Sequence, residues 1–103
     1  MAAYVRVARM GDVAPGKVLT VNVNGQPVVL ANVEGAIYAF GGMCTHADAP
    51  LGKGKLRGDV VECPFHGGQF EVRTGRVVMP PATQDIPTFD VQVEGDDIHV
   101  ALP

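Results

Sequence analysis

The residues with the most chemistry in this chain are two Cys-His pairs. One is Cys44-Thr45-His46 and the other Cys63-Pro64-Phe65-His66, with sixteen residues between His46 and Cys63. Each pair sets one thiol and one imidazole close together, and thiolates and imidazoles are donors that hold zinc, copper and iron. Glycine or proline flanks each pair, so each segment can turn both side chains toward one point. Two such loops, brought together, would offer two thiolates and two imidazoles to one metal site. Cys44 and Cys63 are also the only cysteines of the chain. A secreted protein would be expected to join them in a disulfide; a cytosolic one is more often found to use them for metal or redox chemistry.

The elements that must position these pairs read as strands. Tyr4–Arg9 and Lys17–Val23 alternate apolar and polar residues, with a turn over Gly11–Gly16 between them. Asn24-Gly25 is a strong hairpin signal, because both residues tolerate positive φ. Gln26–Val33 returns from it, and Glu34-Gly35 turns again into Ala36–Phe40. These segments are expected to form an antiparallel meander. Val60–Cys63 reads as a short strand and Gln69–Arg73 as a strand edge. Asp90–Val93 and Ile98–Leu102 read as a final hairpin. Gly41–Gly58 has almost no periodicity, and Val77–Ala82, with Pro80-Pro81, is expected to be irregular and outside any central strand. No segment shows a 3.6-residue apolar period. The fold class is therefore all-β, a sandwich or barrel with two long loops between strands, and those loops carry the Cys-His pairs.

Composition narrows the function classes. A chain of 103 residues is expected to form a single domain, and 21 glycines and prolines fit a fold rich in turns. Eleven acidic against eight basic residues give a formal charge of −3, without the basic patch that nucleic acid demands. The longest apolar run, Ala36–Phe40, is far short of the roughly 20 residues of a membrane helix. No secretory signal is visible at the N-terminus, so a cytoplasmic protein that meets neither nucleic acid nor membrane is expected.

Three readings of the two pairs compete: structural cysteines beside incidental histidines, a structural zinc site, and an iron–sulfur cluster in which histidines replace two cysteines on one iron. Zinc fingers usually place both cysteines at one end and both histidines at the other. Here each loop mixes them, and the single residue between Cys44 and His46 is tight for chelating one ion. Cys44-Thr45-His46 and Cys63-Pro64-Phe65-His66-Gly67 closely resemble the C-x-H and C-x-x-H-G motifs of Rieske proteins. Ala49-Pro50-Leu51, Gly58, Phe70, Gly75 and Pro80-Pro81 extend that resemblance over roughly Asp12 to Leu102.

The resemblance implies one [2Fe–2S] cluster, with Cys44 and Cys63 on the inner iron and His46 and His66 on the outer. It implies a Rieske-like fold of stacked antiparallel sheets with two cluster-binding loops, about 42–54 and 63–68, at one tip. It also implies that the Pro80-Pro81 segment is a third loop covering the cluster. High-potential members of the family carry a serine two positions after the second histidine and a tyrosine four positions after it. Gly68 and Phe70 stand there, and the extra disulfide of those members would fall at Ala49 and Phe65. A low potential within the range of His-ligated clusters, about −150 to +300 mV, is therefore expected.

A catalytic mononuclear iron needs two histidines and a carboxylate, and only His99 remains outside the pairs. The chain is thus expected to carry electrons rather than to catalyse. It resembles the Rieske-type ferredoxins of bacterial aromatic-ring-hydroxylating dioxygenase systems, which implies a flavoprotein ferredoxin reductase and a terminal oxygenase as partners. The alternatives are a small Rieske subunit of another oxidoreductase, such as nitrite reductase, and a zinc-stabilised interaction module. An apolar docking patch is expected at the cluster tip from Ala47, Pro50, Leu51, Pro64, Phe65 and Pro81, some of which could instead pack the loops.

Overall fold

Short β-branched and aromatic runs, broken every few residues by turn formers, fold into β1 (Ala3–Arg9), β2 (Val18–Val23), β3 (Gln26–Val33), β4 (Ala36–Gly41), β5 (Lys55–Arg57), β6 (Val60–Glu62), β7 (Gln69–Glu71), β8 (Val77–Met79), β9 (Thr88–Glu94) and β10 (Asp97–Leu102). The computed structural model describes residues 3–43, 50–64, 67–79 and 84–102, and among these there is no α-helix, only 3₁₀ turns at Met10–Asp12 and Leu51–Lys53. All strand pairs are antiparallel. One sheet runs β1-β10-β9-β4-β3-β2 and a second runs β5-β6-β7-β8. The larger sheet is two three-stranded halves, joined only where Ala39 and Phe40 of β4 meet Phe89 and Thr88 of β9. The expected stack of antiparallel sheets is what forms.

Strand β3 is the shared wall between two cores. Its side chains alternate between faces, as the two-residue period of a strand requires. Val28 and Leu30 join Ala8, Ile37, Ala39, Ile98 and Val100 between the halves of the larger sheet. Val29, Ala31 and Val33 turn the other way, toward Phe40, Leu51, Val61, Cys63, Phe70 and Val72 beneath the small sheet. Burial on both faces explains why β3 reads as a nearly continuous apolar run. The Asn24-Gly25 hairpin forms as expected, with φ of 53° and 82° and Asn22 Oδ1 accepting from the Gly25 N–H at 2.8 Å.

Asn32, at 2 % exposure the one buried polar side chain among the described residues, has its hydrogen bonds met. Its Nδ2 donates to the Val13 carbonyl at 2.7 Å, and its Oδ1 accepts from the Gly35 N–H at 2.8 Å. It ties the β1–β2 connection to the β3–β4 turn. An Asn32→Leu variant would strand both backbone groups, so urea unfolding should show a loss on the order of 2 kcal/mol; an unchanged midpoint would refute that role.

Three expectations are corrected. The N-terminal strands do not form one meander from β1 onward: β1 pairs with β10, in register Val5↔Val100 and Arg6↔His99. Turn residues mark where a chain bends but not which distant strand it returns beside, and Ala8 buries against Ile98 and Val100 in the same core. Lys55–Arg57 is a strand inside the stretch read as aperiodic. With three residues and a single inward side chain, Leu56, it is too short to show a period. Val77–Met79, read as irregular, is the edge strand β8. Its place at an edge respects the constraint on nearby prolines; Pro80-Pro81 itself lies outside the described residues.

Candidate metal centre

Of the four ligand candidates, Cys63 is described; Cys44, His46 and His66 lie outside the described residues, as do Ala47, Ala49, Phe65 and Pro81. Cys63 directly follows β6 with its side chain in the core that Leu51, Val61 and Phe70 form, and it is 2 % exposed. Its backbone closes the β6–β7 connection. The Cys63 N–H donates to the Gly68 carbonyl at 2.7 Å, and its carbonyl accepts from the Gly67 N–H at 3.2 Å. Gly67 holds φ at +76°, which a side chain there would oppose. The neighbouring Pro64 is exposed. A thiol at the floor of the site and loop at its surface are thus adjacent in the chain. Cys63 is a free cysteine.

The first loop is pinned at both ends. Met43 and Pro50 form an antiparallel bridge, and the Leu51 N–H donates to the Gly42 carbonyl at 2.9 Å. Met43 and Pro50, the described residues on either side of this loop, therefore lie side by side. The 3₁₀ turn that follows is closed by Lys53 N–H to Pro50 carbonyl, 3.1 Å, and Gly54 N–H to Leu51 carbonyl, 3.0 Å. It delivers Lys53, Gly54 and Lys55 to a cavity of about 420 Å³ whose other wall is Glu62, Cys63, Pro64 and Gly67. The return limb of the first loop and the start of the second thus face each other across one space.

Two glycines make this approach possible, and neither stood out as a candidate from sequence. A Cβ on Gly54 would run into the Glu62 carbonyl, and one on Gly52 into the Thr20 hydroxyl. The signal available was the Gly-Lys-Gly-Lys run after the first pair, which alternates glycine with solvent-facing lysine. Leu51 is the other surprise. It is fully buried among Val29, Phe40 and Val61, so the docking role considered for it is withdrawn and its packing role stands. Pro64 remains exposed and Pro50 half-buried.

Phe70 is fully buried opposite Val61, two residues before the cysteine. Gly68 is buried and offers its carbonyl to the Cys63 N–H. Neither supplies a side-chain hydroxyl. Glu62 is engaged by Gln69, whose Nε2 donates to Glu62 Oε2 at 3.3 Å. His99 stands apart on β10, opposite Arg6 and Gln92, with its buried Nδ1 lacking a hydrogen-bond partner. The donor chemistry of the described part fits an iron–sulfur cluster: Cys63 is a soft thiol at an apolar floor, beside a cavity.

Residues 3–90 match the Rieske [2Fe-2S] domain. The chain belongs to the Rieske [2Fe–2S] domain family. The ferredoxin component of the naphthalene 1,2-dioxygenase system of Pseudomonas putida is 41% identical over 99 residues, covering 96% of this chain and 95% of that protein. The biphenyl 2,3-dioxygenase ferredoxin component of Rhodococcus jostii is 41% identical over 100 residues, covering 97% and 94%. In a solved complex of reduced oxygenase and oxidised ferredoxin of carbazole 1,9a-dioxygenase, one chain superposes with a TM-score of 0.90 at 39% identity, covering 95% of this chain and 92% of that one. A nitrite reductase small subunit from Mycobacterium tuberculosis shares the fold at a TM-score of 0.86 and 21% identity, covering 100% of this chain and 97% of that one. Such a Rieske domain holds a single [2Fe–2S] cluster. Its relatives are ferredoxin components, so this chain is an electron carrier and not itself a catalyst. Among the described residues no helix is long and apolar enough to cross a membrane.

Proposed function

We propose that this Rieske chain, a single domain over residues 1–103, carries single electrons in the cytoplasm from a flavin-dependent NAD(P)H reductase to a terminal ring-hydroxylating oxygenase. Cys44, His46, Cys63 and His66 are the proposed cluster ligands, on loops of about 42–54 and 63–68. The observation that carries this reading is the buried Cys63 thiol beside a cavity whose opposite wall is the return limb of the first loop. A [2Fe–2S] cluster, when bound, takes up and releases one electron at a time. The chain supplies the rest. Leu51, Val61 and Phe70 keep water from the thiol floor, and the Met43–Pro50 bridge holds the two ends of the first loop together. The ferredoxin names of the relatives at 41% identity favour an oxygenase over nitrite reductase as the electron acceptor, since likeness to the latter, at 21%, is likeness of fold.

The test is reconstitution. The purified chain should contain two irons and two acid-labile sulfides per molecule, as the cluster formula requires, and should restore product formation to a reductase–oxygenase pair that lacks its ferredoxin. Zinc in place of iron, or electron delivery to a nitrite reductase alone, would overturn the reading.

The potential should lie at the low end of the range of about −150 to +300 mV. Hydrogen-bond donors near a cluster stabilise the extra negative charge of the reduced form, and Gly68 and Phe70 bring no hydroxyl. Voltammetry on Gly68→Ser and Phe70→Tyr should find each potential above that of the parent. A parent value well above zero would contradict the prediction.

A further inference from the structure

Half of the chain's eight cationic side chains line one groove. Lys17, at the start of the β2 arm, faces Lys55, Leu56 and Arg57 of the edge strand β5 across a cavity of about 310 Å³. Gly54 and Lys55 also belong to the cavity that Lys53, Glu62, Cys63, Pro64 and Gly67 complete, so the two cavities adjoin at β5, and their linings together make up the groove. The groove runs from Lys17 to the wall that contains the Cys63 thiol. Strand β5 alternates Lys55 out, Leu56 in, Arg57 out, which aims both charges at solvent. Lys17, Lys53, Lys55 and Arg57 are all exposed. None has an ion-pair partner among the described residues, where the salt bridges are Arg6–Asp97 and Arg73–Asp59. The acid in the groove is Glu62, directly opposite Lys55 on β6 and held by Gln69. In a protein of net charge −3, this local excess of positive charge is a distinct feature of the surface.

We propose that this cationic groove is the docking surface for the electron-donating reductase, which would meet it with a carboxylate-rich face. This rests on the electron-carrier reading above. Charge complementarity gives the sign of the partner, and the charge balance of the transfer says which partner. One electron leaves the reduced flavin and enters the carrier, and no bond is made or broken. The carrier therefore becomes more negative by one charge beside the Cys63 end of the groove. An acidic surface is held by the oxidised carrier and held less well by the reduced one. That order favours release after the donor has delivered its electron. For an acidic acceptor the same order would retain the spent carrier and slow turnover, so the groove suits the donor.

The experiment uses the holoprotein with the reductase component of a naphthalene 1,2-dioxygenase system as probe. Reduction is followed by stopped flow, and binding of oxidised and reduced carrier is followed by titration, each across a range of salt. Charge steering commonly raises association rates by tenfold or more. Lys17→Glu/Arg57→Glu should therefore slow reduction about tenfold at low salt, with cluster absorbance unchanged. The slope of log rate against log salt should flatten. Arg9→Glu, an exposed reversal on β1, should change neither. The milder Lys→Gln and Arg→Gln set serves if the reversals disturb folding and should give a smaller change of the same sign. Oxidised parent protein should bind the reductase more tightly than reduced. Reduction that is normal in the variants at every salt concentration overturns the groove but leaves the carrier function intact. An equal slowing of delivery to the oxygenase overturns the assignment to the donor. A parent protein that the reductase cannot reduce at any salt concentration overturns the carrier reading and the groove with it.

Discussion

Cys63→Ala is expected to yield a folded, colourless protein with essentially no iron or acid-labile sulfide. The thiol is 2 % exposed and belongs to the core of Leu51, Val61 and Phe70, and none of these apolar neighbours can replace it as a donor. Alanine leaves that core apolar and a small cavity behind. Cys63→Ser should be worse for folding and no better for the metal. A serine hydroxyl is a harder donor that resists deprotonation, and it must be buried among aliphatic and aromatic groups at a cost of about 1–3 kcal/mol if it finds no acceptor. Metal analysis, visible absorbance and circular dichroism separate the effects: both variants lose colour, and only serine adds a further loss of stability beyond the small-cavity cost. Retention of full iron in the alanine variant would remove Cys63 from the ligand set.

Phe70→Ala should be the most destabilising single truncation near the site. Phe70 is fully buried, pairs across the sheet with Val61 and packs in the core that contains Cys63. Truncating a buried phenylalanine costs about 3–5 kcal/mol, against a total stability of about 5–15 kcal/mol for a domain. The apoprotein should therefore unfold on the order of 20 °C lower. Cluster binding favours the folded state by mass action, so the holoprotein should start from a higher melting temperature and lose its colour in the same transition. Phe70→Leu conserves most of the volume and should cost less than about 1.5 kcal/mol. Calorimetry of the three proteins tests the order. A Phe70→Ala variant as stable as Phe70→Leu would mean that the core around Cys63 closes over the gap.

The proposed donors were legible as candidates because they are rare residue types at short spacing. Two Cys-His pairs, each within four residues, need no tertiary information to be recognised as donors. The strands were legible where they are long. In β2 and β10 the two-residue alternation extends over six residues, enough to separate a strand from a loop. It failed at β5 and β8, three residues each, where one or two side chains cannot define a period. Leu51 was misplaced for a related reason. Beside a candidate tip its apolar character suited a surface patch and a core equally, and only the position of Val29, Phe40 and Val61 around it decides for the core.

By itself, then, the sequence determined the two Cys-His pairs from which the proposed donors come, the antiparallel all-β class, the hairpin at Asn24-Gly25 and the lack of hydroxyls at positions 68 and 70. These are properties of single residues or of neighbours in the chain, and local sterics and chemistry govern them. Tertiary structure alone decided that β1 closes on β10 across the chain's whole length, that β3 divides two cores, and that Cys63 forms the floor of its site. It alone gathered Lys17 with Lys53, Lys55 and Arg57 along one groove. Each of these is a choice of which distant surface a segment buries against. That choice is set by the sum of many weak apolar contacts over the whole fold, which no local pattern encodes.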